Sequence, residues 1–342
     1  MAAKGFSNRQ KSVSGRRLVL ILAMVVLLAL ILWRQGFYKP QQERKKIREP
    51  EITPVSINPI PEKPVAANGQ LTQITEPISQ PPIEPPVISR KPGYELYEKG
   101  VKELEAKKCI SARKSLTQAV ELGLDEAEEK DAFAKLNQAA DQWLFAPTIL
   151  EGDSLCTWYS VETGDRLTAI GNNYSIPYPL IMKINQISNP AGLSVGKRLK
   201  VVQGPFHLKV NRKKYYLLVY LGDVIARVYP VGLGAPDRIT PTGLWLSQAG
   251  KKQVNPAWPD QETGKFYQPD DPENPLGERW IGLEGIDGEA VGRSGFGIHG
   301  TIKPEEIGKS ASRGCIRLLN KDVEELFDLV TDGQSKVWVY DE

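Results

Sequence analysis

Apolar positions change their period several times along this chain, and each change marks a new segment. The first is an unbroken apolar run of sixteen residues from Leu18 to Trp33, closed by Arg34 and preceded by Lys4, Arg9, Lys11, Arg16 and Arg17. At the helical rise it covers ~24 Å, slightly short of a ~30 Å hydrocarbon core. Snorkelling by Arg17 and Arg34, with Trp33, Phe37 and Tyr38 at the interface, makes up the difference. No small-x-small site follows, so we read residues 18–33 as an uncleaved single-pass membrane anchor; a cleaved signal peptide is the alternative. Either way the basic end is cytoplasmic and everything after Tyr38 lies outside. From Pro40 to Pro92 periodicity vanishes: twelve of 53 residues are proline and none is aromatic. Such a segment cannot bury a core, and we take 39–92 as an extended, disordered spacer.

Three- and four-residue spacing then appears: Leu96, Gly100, Leu104, and again Ala112, Leu116, Ala119, Val120. It predicts a helical hairpin over 93–147, with Gly123 as a helix stop. The stretch from Glu126 to Leu144 has the composition of a third helix. The hairpin is similar to one tetratricopeptide-type unit, without a second copy, and its protein partner is unknown.

Between Thr157 and Val202 the pattern reads strand, helix, helix, strand: Trp158–Val161, a turn at Gly164-Asp165, helices carrying Leu167, Ile170 and Leu180, Ile181, Ile184, then Leu199–Val201. Tyr-x-Val-x-x-Gly-Asp-x-Leu at its start, Asn185 after the second helix and Val-Gly-x-x-Leu at its close resemble a LysM module over 156–203. That resemblance implies a small α+β (βααβ) unit that binds N-acetylglucosamine-containing glycans. It would do so through Gly164, Asp165, Arg166, Leu167, Ile187 and Asn189.

From Pro205 on, alternation takes over. Phe206–Val210, Tyr215–Tyr220 and Val224–Val231 predict an antiparallel meander. A polar, Pro- and Gly-rich insertion follows from Gln248 to Gly277, too long for a tight connection. A helix capped by Asn320, with Val323, Leu326, Phe327 and Val330 on one face, and a last strand Lys336–Tyr340 close the chain.

Charge refines this picture. Residues 1–50 hold eleven Lys/Arg against two Asp/Glu, a net +9, which leaves −6 for the rest of a chain of net charge +3. The acidic body argues against nucleic-acid binding. Three cysteines are too few and too odd for a disulfide framework. Two histidines 92 positions apart and no Cys-x-x-Cys suggest neither a metal nor another cofactor.

The chemistry concentrates in Gly297-Ile-His299-Gly300-Thr301 and Ser312-Arg313-Gly314-Cys315-Ile316-Arg317-Leu318. Cys315 is a candidate nucleophile and His299, sixteen positions earlier, its candidate base. No obligatory Asp or Asn stands nearby, so a backbone carbonyl such as that of Gly300 would orient the imidazole. The amides of Gly314 and Cys315 could bind an oxyanion. Arg317, two positions along a strand from Cys315, shares its face and would bind a substrate carboxylate or depress the thiol pKa.

These residues resemble the signature of the YkuD-type L,D-transpeptidases. Further matches are Thr240-Pro241-Thr242-Gly243, Asn255-Pro256-Ala257-Trp258, Asn274-Pro275-Leu276-Gly277 and Trp280. The resemblance covers 205–341 and implies a mainly β, antiparallel, sandwich-like catalytic domain, so the whole chain reads as multidomain. It also implies a cysteine acyltransferase that attacks the third residue of a peptidoglycan stem tetrapeptide, releases D-alanine and passes the acyl group to an amine. Cys315, His299, Gly300 and Gly314 would then be catalytic, and Arg317, Ser312, Thr301 and Trp258 would touch the stem. Many members carry histidine where this chain has Arg313; a guanidinium there would favour a lower thiol pKa. Two alternatives stay open, an L,D-carboxypeptidase using water and a non-catalytic wall tether. Sortase-like and NlpC/P60-like readings fail on the spacing and the order of His and Cys. The expected location is the cell membrane, with the catalytic domain in the periplasm or cell wall.

Overall fold

The computed structural model describes residues 90–341. The predicted anchor at 18–33, and all but the last residues of the predicted spacer, lie outside the described residues. Among the described residues no helix is long and apolar enough to cross a membrane.

Three helices come first, α1 (Tyr94–Glu105), α2 (Cys109–Leu122) and α3 (Glu126–Trp143), so the expected hairpin has a third arm. Gly123 ends α2 as its sequence suggests. Leu116, Ala119 and Val120 of α2, with Ala132 and Leu136 of α3, pack on Tyr216, Leu218, Tyr220, Ile225 and Val228. The apolar face for which the sequence offered no partner is therefore covered by the chain's own sheet.

The next segment is β1 (Cys156–Ser160), α4 (Leu167–Asn173), α5 (Tyr178–Ile184) and β2 (Arg198–Val202), in the predicted order. Its strands pair antiparallel, Cys156 opposite Val202 and Ser160 opposite Arg198. It is not separately cored. Leu167, Ile170, Leu180, Ile181 and Leu199 belong to one buried cluster with Phe206, Val210, Leu326 and Val337 of the following domain.

That domain is mainly β. Its strands are β3 (His207–Asn211), β4 (Tyr216–Leu221), β5 (Val224–Pro230), β6 (Leu233–Gly234), β7 (Gly243–Val254), β8 (Trp258–Pro259), β9 (Phe266–Tyr267), β10 (Arg279–Asp287), β11 (Gly297–His299), β12 (Ser310–Ser312), β13 (Ile316–Arg317) and β14 (Lys336–Tyr340). Eight form one sheet in the order β13-β11-β10-β7-β14-β3-β4-β5. The meander β3–β5 is antiparallel as predicted, whereas β14 beside β3 and β13 beside β11 are parallel. The sheet curls until its ends meet: Gly232, just after β5, exchanges backbone hydrogen bonds of 2.8 and 2.9 Å with Arg317 in β13. Helix α6 (Asn320–Leu329) buries Val323, Leu326 and Leu329 in the main core.

Two expectations need correction. The insertion expected from Gln248 begins as strand, because β7 continues to Val254 and pairs with β10 as far as Arg279. Past the core, strand faces meet solvent, so polar residues do not interrupt the ladder. Asn320 does not cap α6. Leu319 occupies the N-cap position, and Asn320 Oδ1 instead accepts the Thr301 amide at 3.1 Å.

Two buried cations join the segments. Lys200 of β2 is fully buried and donates to the carbonyls of Trp143, Ala146 and Thr148 at 2.5–2.8 Å, a cation at the C-terminal end of α3. Arg227 of β5 donates to Glu325 of α6 (2.6 Å), to the Asn137 carbonyl (2.6 Å) and to Asp141 of α3 (2.5 Å). Glu325 also accepts from Tyr229 (2.9 Å) and from Lys183 of α5 (3.1 Å). One guanidinium thus gathers the helices, the βααβ segment and the sheet. Breaking a buried pair from one side costs about 3 kcal/mol, because the partner stays buried without its countercharge. Arg227→Met should therefore lower the urea unfolding midpoint by that equivalent, and Arg227→Met/Glu325→Gln should recover part of the loss. An unchanged midpoint for the single variant would show that the cluster does not hold the segments.

Candidate active site

The parallel pair β11–β13 sets Ile298 beside Ile316 and His299 beside Arg317. Ile298, Ile316 and Leu318 are at most 1% exposed and face the core. Strand alternation then turns His299, Cys315 and Arg317 to the other face, where all three line one cleft of about 750 Å³. The β8–β9 hairpin, with Trp258, Asp260 and Tyr267, lines the same cleft. Parallel neighbours need a crossover of a dozen or more residues, and this accounts for the sixteen-position spacing of His299 and Cys315.

His299 Nδ1 lies 2.7 Å from the Gly300 carbonyl oxygen. A carbonyl can only accept, so this nitrogen carries the proton. The ring stacks on Trp280 at 5.7 Å between centroids and 24° between planes. Burial brings its pKa down to about 4; the Arg317 charge acts in the same direction, against the carbonyls of Gly300 and Leu276. A Cβ at Gly300 would lie 2.1 Å from Asn320 Oδ1, so a larger residue there would have to displace that carboxamide.

Cys315 is partly exposed, and its Sγ makes a long contact of 3.8 Å to the Gly295 carbonyl. Desolvation pushes the thiol up to about 11, outweighing the Gly297 amide that favours thiolate. No hydrogen bond joins Sγ to the imidazole among the described residues. The resting pair is thus neutral thiol and neutral imidazole.

The turn before Cys315 is held on three sides. Ser312 Oγ donates to the Cys315 carbonyl (2.6 Å) and accepts the Gly314 amide (3.1 Å). Thr240 Oγ1 donates to the Gly314 carbonyl at 2.8 Å. Gly314 has φ 112°, and a Cβ would meet Phe296 Cε1 at 2.8 Å. The Gly314 amide therefore faces Ser312, and the Cys315 amide has no hydrogen-bond partner among the described residues. Ser312 is buried and Thr301 Oγ1 accepts from the Lys303 amide, so both hydroxyls serve turns.

Arg317 faces the cleft but is ion-paired with Glu306, while its Nε is buried without a partner. Arg313 does not depress the thiol pKa. It donates to Asp260 (2.7 Å), lies 3.0 Å from Glu262 and sits over the Trp258 ring, so its charge is offset within the hairpin. The functional neighbours that the sequence reading missed are the Trp280 stacking, Asn320, Asp260 and Thr240. Trp280 and Thr240 stood in motifs, but nothing local showed what they touch.

In the βααβ segment, Leu167 is buried core rather than surface. Asp165 Oδ2 accepts from the Tyr159 hydroxyl (2.8 Å) and the Glu162 amide (2.7 Å), and so shapes the turn. Asn189 Oδ1 accepts the Ala191 amide at 2.9 Å, and Ile187 packs partly against the core. Gly164, Arg166 and Asn189 are the exposed members of the predicted set.

A neutral resting thiol has a kinetic signature. Alkylation of Cys315 by iodoacetamide should rise about tenfold per pH unit from pH 7 toward 10 with no plateau, and Arg313→Ala should leave that profile unchanged. A plateau near pH 7, or a shift in the Arg313 variant, would overturn this assignment.

Residues 159–202 match the LysM domain family, and residues 205–339 match the YkuD family, described as the L,D-transpeptidase catalytic domain. The Bacillus subtilis protein YkuD, which carries an L,D-transpeptidase name, is 31% identical over 182 residues, covering 51% of this chain and 94% of that protein. YqjB of the same organism, similarly named, is 36% identical over 132 residues, covering 38% of this chain and 69% of its own length. Among solved structures, the E. faecium L,D-transpeptidase catalytic domain aligns at 22% identity with a TM-score of 0.30, covering 40% of this chain and 96% of that one. At 31% identity along nearly the full length of the YkuD relative, the chain belongs to the L,D-transpeptidase family.

Proposed function

We propose that this protein is a membrane-anchored, cell-wall L,D-transpeptidase with Cys315 as nucleophile and His299 as general base. The observation that carries the reading is the shared cleft face of β11 and β13, on which thiol, imidazole and guanidinium stand together beside the Cys315 amide. In the first half-reaction the imidazole takes the thiol proton as sulfur attacks the carbonyl of the third stem residue. The Cys315 amide receives the oxyanion. Collapse breaks the C–N bond, and the leaving D-alanine amine takes the proton back from the imidazolium. A thioester remains. An acceptor amine then attacks it, gives a proton to His299 and releases the sulfur, which is reprotonated.

The Gly300 carbonyl keeps the imidazole in one tautomer throughout. Arg317 and Trp258 line the cleft as stem contacts, while Ser312, Thr301 and Gly314 contribute by holding the turns. Gly164, Arg166 and Asn189 form the exposed part of a glycan contact on the LysM segment, which raises the local concentration of substrate. Metal or other cofactors play no part in these steps.

The test uses the full chain with a disaccharide-tetrapeptide donor. Intact mass should show an acyl adduct on Cys315 with release of D-alanine, and the product mass identifies the acceptor as amine or water. Cys315→Ala and His299→Ala should each lower D-alanine release by about 10³-fold or more. Release undiminished in Cys315→Ala would exclude the cysteine mechanism. Release with water as the sole acceptor would make the protein an L,D-carboxypeptidase.

A further inference from the structure

We infer that Thr240 is a positioning residue for acyl transfer, and that its grip on the Gly314 carbonyl aims the Cys315 amide at the developing oxyanion. This rests on the reading of Cys315 as nucleophile.

Ser312 Oγ, the Gly314 amide, the Gly314 carbonyl and the Cys315 carbonyl all have partners at 2.6–3.1 Å. Polar groups in such a turn are usually paired, so an unpaired one on the nucleophile itself calls for a reason. That group is the Cys315 N–H. It belongs to the same peptide unit as the Gly314 carbonyl, and the unit is trans, as only Gly204–Pro205 is cis among the described peptides. In a trans peptide the C=O and N–H point in opposite directions. Fixing the oxygen therefore fixes the hydrogen.

Thr240 fixes that oxygen without ambiguity. Its hydroxyl accepts the Gly234 amide at 3.0 Å, and its single proton goes to the Gly314 carbonyl at 2.8 Å. The residue is 2% exposed and rides on the β6–β12 pairing, which sets Gly234 beside Ser312. A restraint is needed here because a peptide following glycine rotates at little cost. Without it the unit can flip, which would turn a carbonyl oxygen toward a forming oxyanion and remove the Cys315 donor.

The test compares Thr240→Val, which keeps the shape and loses the hydroxyl, with Thr240→Ser, which keeps the hydroxyl. Acylation is followed with the tetrapeptide donor and, separately, as the p-nitrophenolate burst from p-nitrophenyl acetate. Both reactions form an oxyanion. Alkylation of Cys315 by iodoacetamide forms none and reports the integrity of the site. Thr240→Val should acylate about 10²-fold more slowly with both acyl donors, with tetrapeptide KM within about twofold of wild type and the alkylation rate unchanged. Thr240→Ser should acylate at nearly the wild-type rate. The inference is overturned if Thr240→Val acylates normally, if it loses alkylation in parallel with acylation, or if Thr240→Ser is as slow as Thr240→Val. Wild type that reacts with the ester but not with the tetrapeptide would refute the peptidoglycan reading and leave the positioning role standing on the ester arm.

Discussion

The site depends on one constraint, the register of β11 against β13. Ile298, Ile316 and Leu318 must face the core, and strand alternation does the rest. A slip of one residue in either strand would turn a histidine, a thiol or a guanidinium into the apolar core and an isoleucine toward the cleft. Burial of those apolar side chains, each worth about 1.5–3 kcal/mol, therefore holds the chemistry on the cleft face. The connection between the strands is held as well. Asn320 fixes its start at Thr301, Glu306 reaches Arg317 at its middle, and β12 pairs with β6 near its end.

The frame behind this edge is continuous. Interfaces between domains of one chain are usually modest and polar, and relative motion is then the default. Here the LysM segment shares a core with the sheet, while Lys200 and Arg227 pin it and the three helices from two sides. Whatever the LysM segment engages is presented to the cleft from a fixed direction. The helices serve the same end. They cover the outer face of β4 and β5, whose tyrosines and leucine would otherwise meet water.

The sequence was legible wherever local pattern and tertiary environment agreed. Lys336–Tyr340, the meander and the βααβ order follow from alternation and Gly-Asp turns, and the structure keeps them to within a residue or two. It was misleading where a side chain had a distant alternative. Asn320 has the chemistry of a cap, but a neighbouring loop offered its carboxamide an unpaired amide, and Leu319 took the cap position. Arg313 reads locally as a charge beside a thiol. Its partners Asp260 and Glu262 lie about fifty positions upstream and come into range only through the β8–β9 hairpin. Gly314 looked like half of an oxyanion hole until Ser312, two residues away, proved to hold its amide. In each case the residue type was informative, and the direction in which it pointed was not.

Direction also governs how the thiol is activated. Burial raises Cys315 and lowers His299 together, so neither is charged before substrate arrives. On the proposed reaction, proton transfer accompanies attack instead of preceding it, and imidazolium exists only while the oxyanion does. Desolvation is the main force against imidazolium, and the Arg317 charge, beside His299 in the ladder, adds to it. Glu306 already offsets part of that charge. A stem carboxylate against the same guanidinium would offset more and raise the basicity of His299 as substrate binds. On the proposed reaction, recognition and activation would share one residue, and the neutral thiol would become reactive as substrate binds.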